Sequence, residues 1–248
     1  SGTAGGTTGA LLGKSNIVIN SVGTVNILGA VGTDIGTLTI TNSGGTTFSS
    51  TVDASTVTLS NTTGAITFNG AVTAATLNTA AQAYSVALNA SSGTITNAVT
   101  FSNTGSVTLG TSGGTLAFTG GITATAPSAV NVAGTITAAG TAAINLGAPV
   151  NVNANTTIGG TSTGAITLGT ATLADGVTLT VGTNRANAIS LSSVSGTAGS
   201  TASNLTINTT GAVTVSGAVG TDIGTITITN SGGTTFSSTV DAATLTIT

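Results

Sequence analysis

The acidic residues are the first place to look for chemistry. Asp34 and Asp53 stand 19 apart in the chain, as do Asp222 and Asp241, so a backbone that completed one turn over that interval would stack each pair. Two stacked carboxylates invite a shared Ca²⁺, a hard cation that takes roughly six to eight oxygen ligands, usually including more than two carboxylates. Their settings differ, however, with Asp34 in Gly-Thr-Asp-Ile-Gly and Asp53 in Thr-Val-Asp-Ala. The Gly-Gly-x-Gly-x-Asp calcium repeat is absent. The plainer expectation is that these residues hydrogen-bond their own backbone in turns, with no metal and no cofactor.

Acid-base and nucleophilic catalysis fare worse. The chain has no His, no Cys and no Glu, which leaves five Asp with isolated Lys14 and Arg185. A Ser or Thr hydroxyl without a neighbouring base is no nucleophile, so a non-enzyme is expected. Nucleic acid is excluded because phosphate binding needs clustered Lys and Arg, whereas the net charge is -3 with only two basic residues. No run of apolar residues is long enough for a membrane helix, and no signal-type segment opens the chain at Ser1.

Threonine gives a sharper pattern. Thr37/Thr39/Thr41, Thr56/Thr58, Thr225/Thr227/Thr229 and Thr244/Thr246 would form flat columns on a β surface, the arrangement of β-solenoid ice-binding proteins. Ice needs such an array to persist on one face, and here it lapses at Thr76-Leu77-Asn78 and through the centre, so ordinary β-branched surface is preferred. Asn61, Asn89, Asn155, Asn204 and Asn208 stand in Asn-x-Ser/Thr sequons and read as turn residues; the Ser/Thr-rich surface also offers sites for O-linked sugars. Phe48, Phe68, Phe101, Phe118, Phe236 and Tyr84 are expected to fill the core rather than form a carbohydrate platform.

The elements that must position these residues are repeats. Only 3% of the 248 residues are charged and 2% aromatic, far from an ordinary helical or α/β enzyme. Abundant Val, Ile and Thr, with a mean hydropathy of +0.52, give the chain apolar area to bury, unlike a disordered segment. Residues 29–60 and 217–248 match at 27 of 32 positions with an offset of 188, and the register extends upstream to 16–20 and 204–208. Ser1-Gly2-Thr3-Ala4-Gly5 recurs at Ser195-Gly196-Thr197-Ala198-Gly199, where the offset is 194 and thus larger by six. Residues 1–194 thus read as one long unit and 195–248 as the start of a second, in one continuous fragment of a tandem array.

A shorter step, of 19 or 20, relates Thr37, Thr56 and Thr76, and likewise Phe48 to Phe68, Val52 to Val72 and Ala54 to Ala74. Each unit holds short strands of period-2 polarity between Gly, Asn and Ser turns. Such a unit is too small to enclose a core alone and must stack on its own copies. The expected fold is therefore all-β, a parallel β-helix (β-solenoid) of about 19–20 residues per coil. Apolar columns such as Leu38/Val57/Leu77 and Phe48/Phe68 should fill it, with outer columns of Asn and of Thr hydrogen-bonded to one another. At about 4.8 Å per coil, one long unit would make roughly 9 to 10 coils and advance about 45 Å. Related motifs at 118–123, 132–137 and 146–151 are spaced by only 14, so no coil map follows for the centre of the unit.

At Gly36 to Ser60, GTLTITNSGGTTFSSTVDASTVTLS, and again over 224–248, the chain resembles the autotransporter-associated β-strand repeats and, more loosely, filamentous-haemagglutinin-type repeats of secreted bacterial adhesins. It departs from them in carrying Phe48 and Phe236 where Tyr is often found. The resemblance implies a right-handed parallel β-helix displayed outside the cell. The expected role is a structural segment of an extracellular filament or cell-surface protein that associates with itself end to end or laterally, because neither terminus shows a polar cap. An adhesin stalk is the alternative, with glycans or ice as lesser partners.

Overall fold

A computed structural model describes residues 13–248; the Ser1–Gly5 match lies outside them. Every described element is a β-strand or a connection between strands. The chain winds as a parallel solenoid with three strand-bearing faces per coil, and its strands join into sheets of 20 and 7. Alternation explains the strands locally: in Val52–Leu59 the side chains of Val52, Ala54, Val57 and Leu59 are buried and those between are half-buried.

One column traces the first face completely. Val25, Thr46, Ile66, Val86, Val107, Val130, Val150, Ala171, Val194, Val219 and Val240 pair in that order, each with the next. In the coil that opens at Val25 the second face starts at Val31 and the third at Leu38, which lies one coil above Ile17 on that third face. The coil is less uniform than the short sequence step implies: Leu38 pairs with Val57 after 19, Val107 with Val130 after 23, and Leu179 with Leu205 after 26. Corners absorb the differences, since extra residues there leave the ladder hydrogen bonds intact.

Within the coils, like residues pile on like. Thr37/Thr56/Thr76, Val52/Val72, Ala54/Ala74 and Leu38/Val57/Leu77 are all in register. The Phe48 and Phe68 rings stack with centroids 4.8 Å apart and planes 3° from parallel. Both are fully buried, as are Phe101 and Phe118, which meet edge to face at 6.4 Å. Burying each such side chain is worth about 1.5–3 kcal/mol, and a core without a charged side chain gives up none of it to desolvation.

Polar columns do not lie only outside, contrary to expectation. Ser43, Thr62, Asn103, Ser162, Asn187 and Thr209 are buried at corners. Each hydroxyl there accepts from the N–H two positions on, as in Thr62 Oγ1 from Gly64 and Thr209 Oγ1 from Gly211; Thr62, Ser162 and Thr209 also donate to the coil before, to the carbonyls of Ser43, Ala142 and Asn187, while Ser43 Oγ pairs with Thr62 Oγ1 of the coil after. The side chain satisfies backbone groups that a turning chain cannot pair in a ladder.

The face, shorter than the coil by a factor of three, is the true unit, and this resolves the centre of the long repeat. The 14-spaced motifs are corners two faces apart. Residues 118–123 pass from the second face to the third, 132–137 from the first to the second, and 146–151 from the third to the first. The same unit shows that the long repeat is not a whole number of coils. Val219, the counterpart of Val31 in the matching blocks, stands nine coils from Val25 on the first face, and Ile228, the counterpart of Ile40, continues the second face. The second copy is therefore displaced by one face around the axis. The repeat spans nine coils less one face, about 42 Å at roughly 4.8 Å per coil.

Candidate functional site

The displacement brings Thr-x-Thr segments from different parts of the chain onto the second face. Thr115, Thr135, Thr157, Thr180, Thr206, Thr227 and Thr246 form one unbroken column, each paired with the next. Beside it run Thr178, Asn204, Thr225 and Thr244, also in register. Between the columns Leu179, Leu205 and Ile226 point inward and are fully buried, which fixes both columns facing out. The array of the third face lapses after Thr76, where Asn78 follows Thr58 in the column, as expected; a second array, not foreseen, runs along the second face from Thr115.

The geometry is set by the backbone. Successive hydroxyls along the column follow the strand spacing of about 4.8 Å, and the two columns are separated by two steps along the strand, about 6.6 Å. A groove of about 460 Å³ follows the start of the array, lined by Thr135, Thr157 and Thr180 on one side and Asn155 and Thr178 on the other. No charged side chain lines it.

Hydrogen bonding along the column differs from expectation. Among the described residues, none of the seven ladder hydroxyls bonds within the chain. The Thr hydroxyls that do so, such as Thr41, Thr62, Thr183 and Thr209, bond chiefly to backbone carbonyls of the preceding coil. The ladder leaves its donors and acceptors to whatever lies outside. Asn155 and Asn204, from the sequons, are partly committed: their Oδ1 atoms accept from the N–H groups of Thr178 and Thr225 one coil on.

Neither a protein-family model nor a curated protein or solved structure matches this chain.

The four acids first considered do not make comparable pairs. In the first copy Val31 pairs with Val52 and Ile35 with Ala54, so residues 32–34 bulge opposite Asp53 and Asp34 borders it; Asp53 itself pairs onward with Thr73. In the second copy Val219 bridges to Val240, which sets Asp241 against Gly220 and not against Asp222. Asp222 has φ 61° and a buried Oδ2 without a partner. No three metal-binding side chains converge among the described residues. Lys14 donates to Ser55 Oγ at 2.7 Å. The strongest carboxylate contacts belong to Asp175, whose oxygens accept from the N–H groups of Thr201 and Ser200 at 2.9 and 3.2 Å, and these bonds lower its pKa, Thr201 foremost.

Sequence reasoning missed the ladder because no fixed period generates it: its steps along the chain run 20, 22, 23, 26, 21 and 19. The signal available was the Thr-hydrophobic-Thr triplet itself, at Thr178-Leu179-Thr180 as at Thr225-Ile226-Thr227.

Proposed function

We propose that this chain is a non-catalytic structural segment of an extracellular filament or cell-surface protein, which spans distance as a rod and associates with copies of itself. The observation that carries this reading is the unbroken parallel column from Val25 to Val240, one residue per coil and each paired with the next, which makes the chain a rod whose length grows with its number of coils. The sides of the rod carry almost no charge, so lateral contact meets little like-charge repulsion.

Electron microscopy and concentration-dependent scattering test this reading. Particles longer or thicker than a single rod of about 50 Å are expected as concentration rises. Monomeric rods at every concentration for the unaltered chain would favour the stalk, a rod that serves by length alone.

A further inference from the structure

We infer that the second face is an ice-binding surface, its ligand the ordered lattice of solid water. This goes beyond the filament reading, since it assigns a ligand to one face of the rod. Four properties of the face select this ligand. It is periodic in two directions, with a threonine at every coil from Thr115 to Thr246 and a parallel column from Thr178 to Thr244. It is rigid, because threonine is stiff about its first side-chain torsion and each strand is pinned by its ladder. Its hydroxyls are uncommitted within the chain, as described above, so each can hold a water. It is neutral, with no charged residue in either column.

A lattice of water has the same attributes: it is periodic, uncharged, and built of donors and acceptors at fixed spacing. Each threonine also presents a methyl group, which lets the surface displace poorly ordered water while the hydroxyl anchors ordered water. The groove between the columns supplies a trough in which a file of waters can sit, walled by Thr135, Thr157 and Thr180 opposite Asn155 and Thr178. A crystalline polysaccharide shares the periodicity but is held chiefly by aromatic stacking, and Phe48, Phe68, Phe101, Phe118 and Tyr84 are all buried.

The test uses the full chain in a freezing-point hysteresis measurement, with microscopy of the growing crystal. Hysteresis and faceted crystals are expected. Thr180→Lys with Thr206→Lys, in the middle of the column, should abolish both effects, whereas Thr172→Lys, exposed on the first face, should leave them unchanged. Circular dichroism establishes that each variant is folded. Should the lysine pair fail to fold, Thr180→Val with Thr206→Val keeps the shape and removes only the hydroxyls, and a loss of hysteresis is again expected. The inference is overturned if the folded chain neither lowers the freezing point nor shapes ice. It is equally overturned if the first-face and second-face variants behave alike, or if the chain is retained on cellulose or chitin while leaving ice unaffected. Loss of ice activity with self-association intact, or the reverse, separates this face from the surface by which copies associate.

Discussion

Val219 stands on the column of Val25, nine coils along, although the sequence around it is that of Val31. The step from Val25 to Val31 is one face of the solenoid. A chain of further units with the same coil lengths would move one face per unit and return to its starting face after three.

The irregular coil lengths behind this displacement can be checked by cross-linking, free of background because the chain has no cysteine. Thr180 pairs with Thr206 across the longest coil, and neighbouring strands lie at a spacing compatible with a disulfide. Thr180→Cys with Thr206→Cys should oxidise readily. Thr180→Cys with Ser200→Cys, the pair that a coil of uniform length would bring together, should stay reduced.

Phe48 and Phe236 occupy equivalent places in the two copies but different surroundings. Phe48 is buried and stacked on Phe68, while Phe236 is half-buried over Val215 with no ring above it. Phe48→Ala is expected to cost about 3–5 kcal/mol and Phe236→Ala clearly less, read from urea midpoints. Equal costs would contradict the difference in packing.

The corner glycines are required by close approach of backbone. A Cβ on Gly211 would fall well inside contact distance of the Asn187 carbonyl in the coil before, whereas one on Gly29 would meet nothing within 4 Å. Gly211→Ala should destabilise by roughly 1–3 kcal/mol, and Gly29→Ala should change stability by less than about 0.5 kcal/mol. Thermal denaturation of the two variants decides this.

Tyr84 links stability to alkaline pH. Its hydroxyl donates to the Leu59 carbonyl at 2.6 Å and accepts from the Ala80 N–H at 3.0 Å, and burial raises its pKa above the usual value. A raised folded pKa means stability that is complete below the unfolded value of about 10 and is lost as pH climbs through the folded one. Tyr84→Phe should remove that alkaline dependence and cost about 1–3 kcal/mol at neutral pH, by leaving buried backbone groups unpaired. Tyr84 is the only tyrosine and no tryptophan is present, so its ultraviolet titration reads the ionisation directly.

Much of the architecture was legible in short stretches. The alternation in Val52–Leu59 and the step from Phe48 to Phe68 specify strands, inward faces and stacking, because side-chain direction in a strand has period two and like residues pack well on like. The corner hydroxyls were not legible. Ser43 and Ser49 are the same residue type in the same composition, yet one is buried and bonded to Thr62 and the other exposed. Which serine turns inward depends on the partners its corner and the neighbouring coil present, for Ser43 the Gly45 N–H and the Thr62 hydroxyl.

By itself the sequence determined a parallel β-solenoid, since alternation, repetition and composition are local properties that read alike wherever the segment lies. Only the tertiary structure decided which face each segment occupies and what conformation it takes there. Val-Gly-Thr-Asp-Ile-Gly is a continuous strand within Val31–Asn42, but in the second copy it breaks at Thr221 and Asp222, both in the left-handed region at φ 47° and 61°. There the Thr221 and Asp222 carbonyls accept from the N–H groups of Gly196 and Ser203, between which the preceding coil makes its longest excursion. Face and conformation are sums over all the corners beneath a segment, and the threonine ladder exists because those sums happen to align.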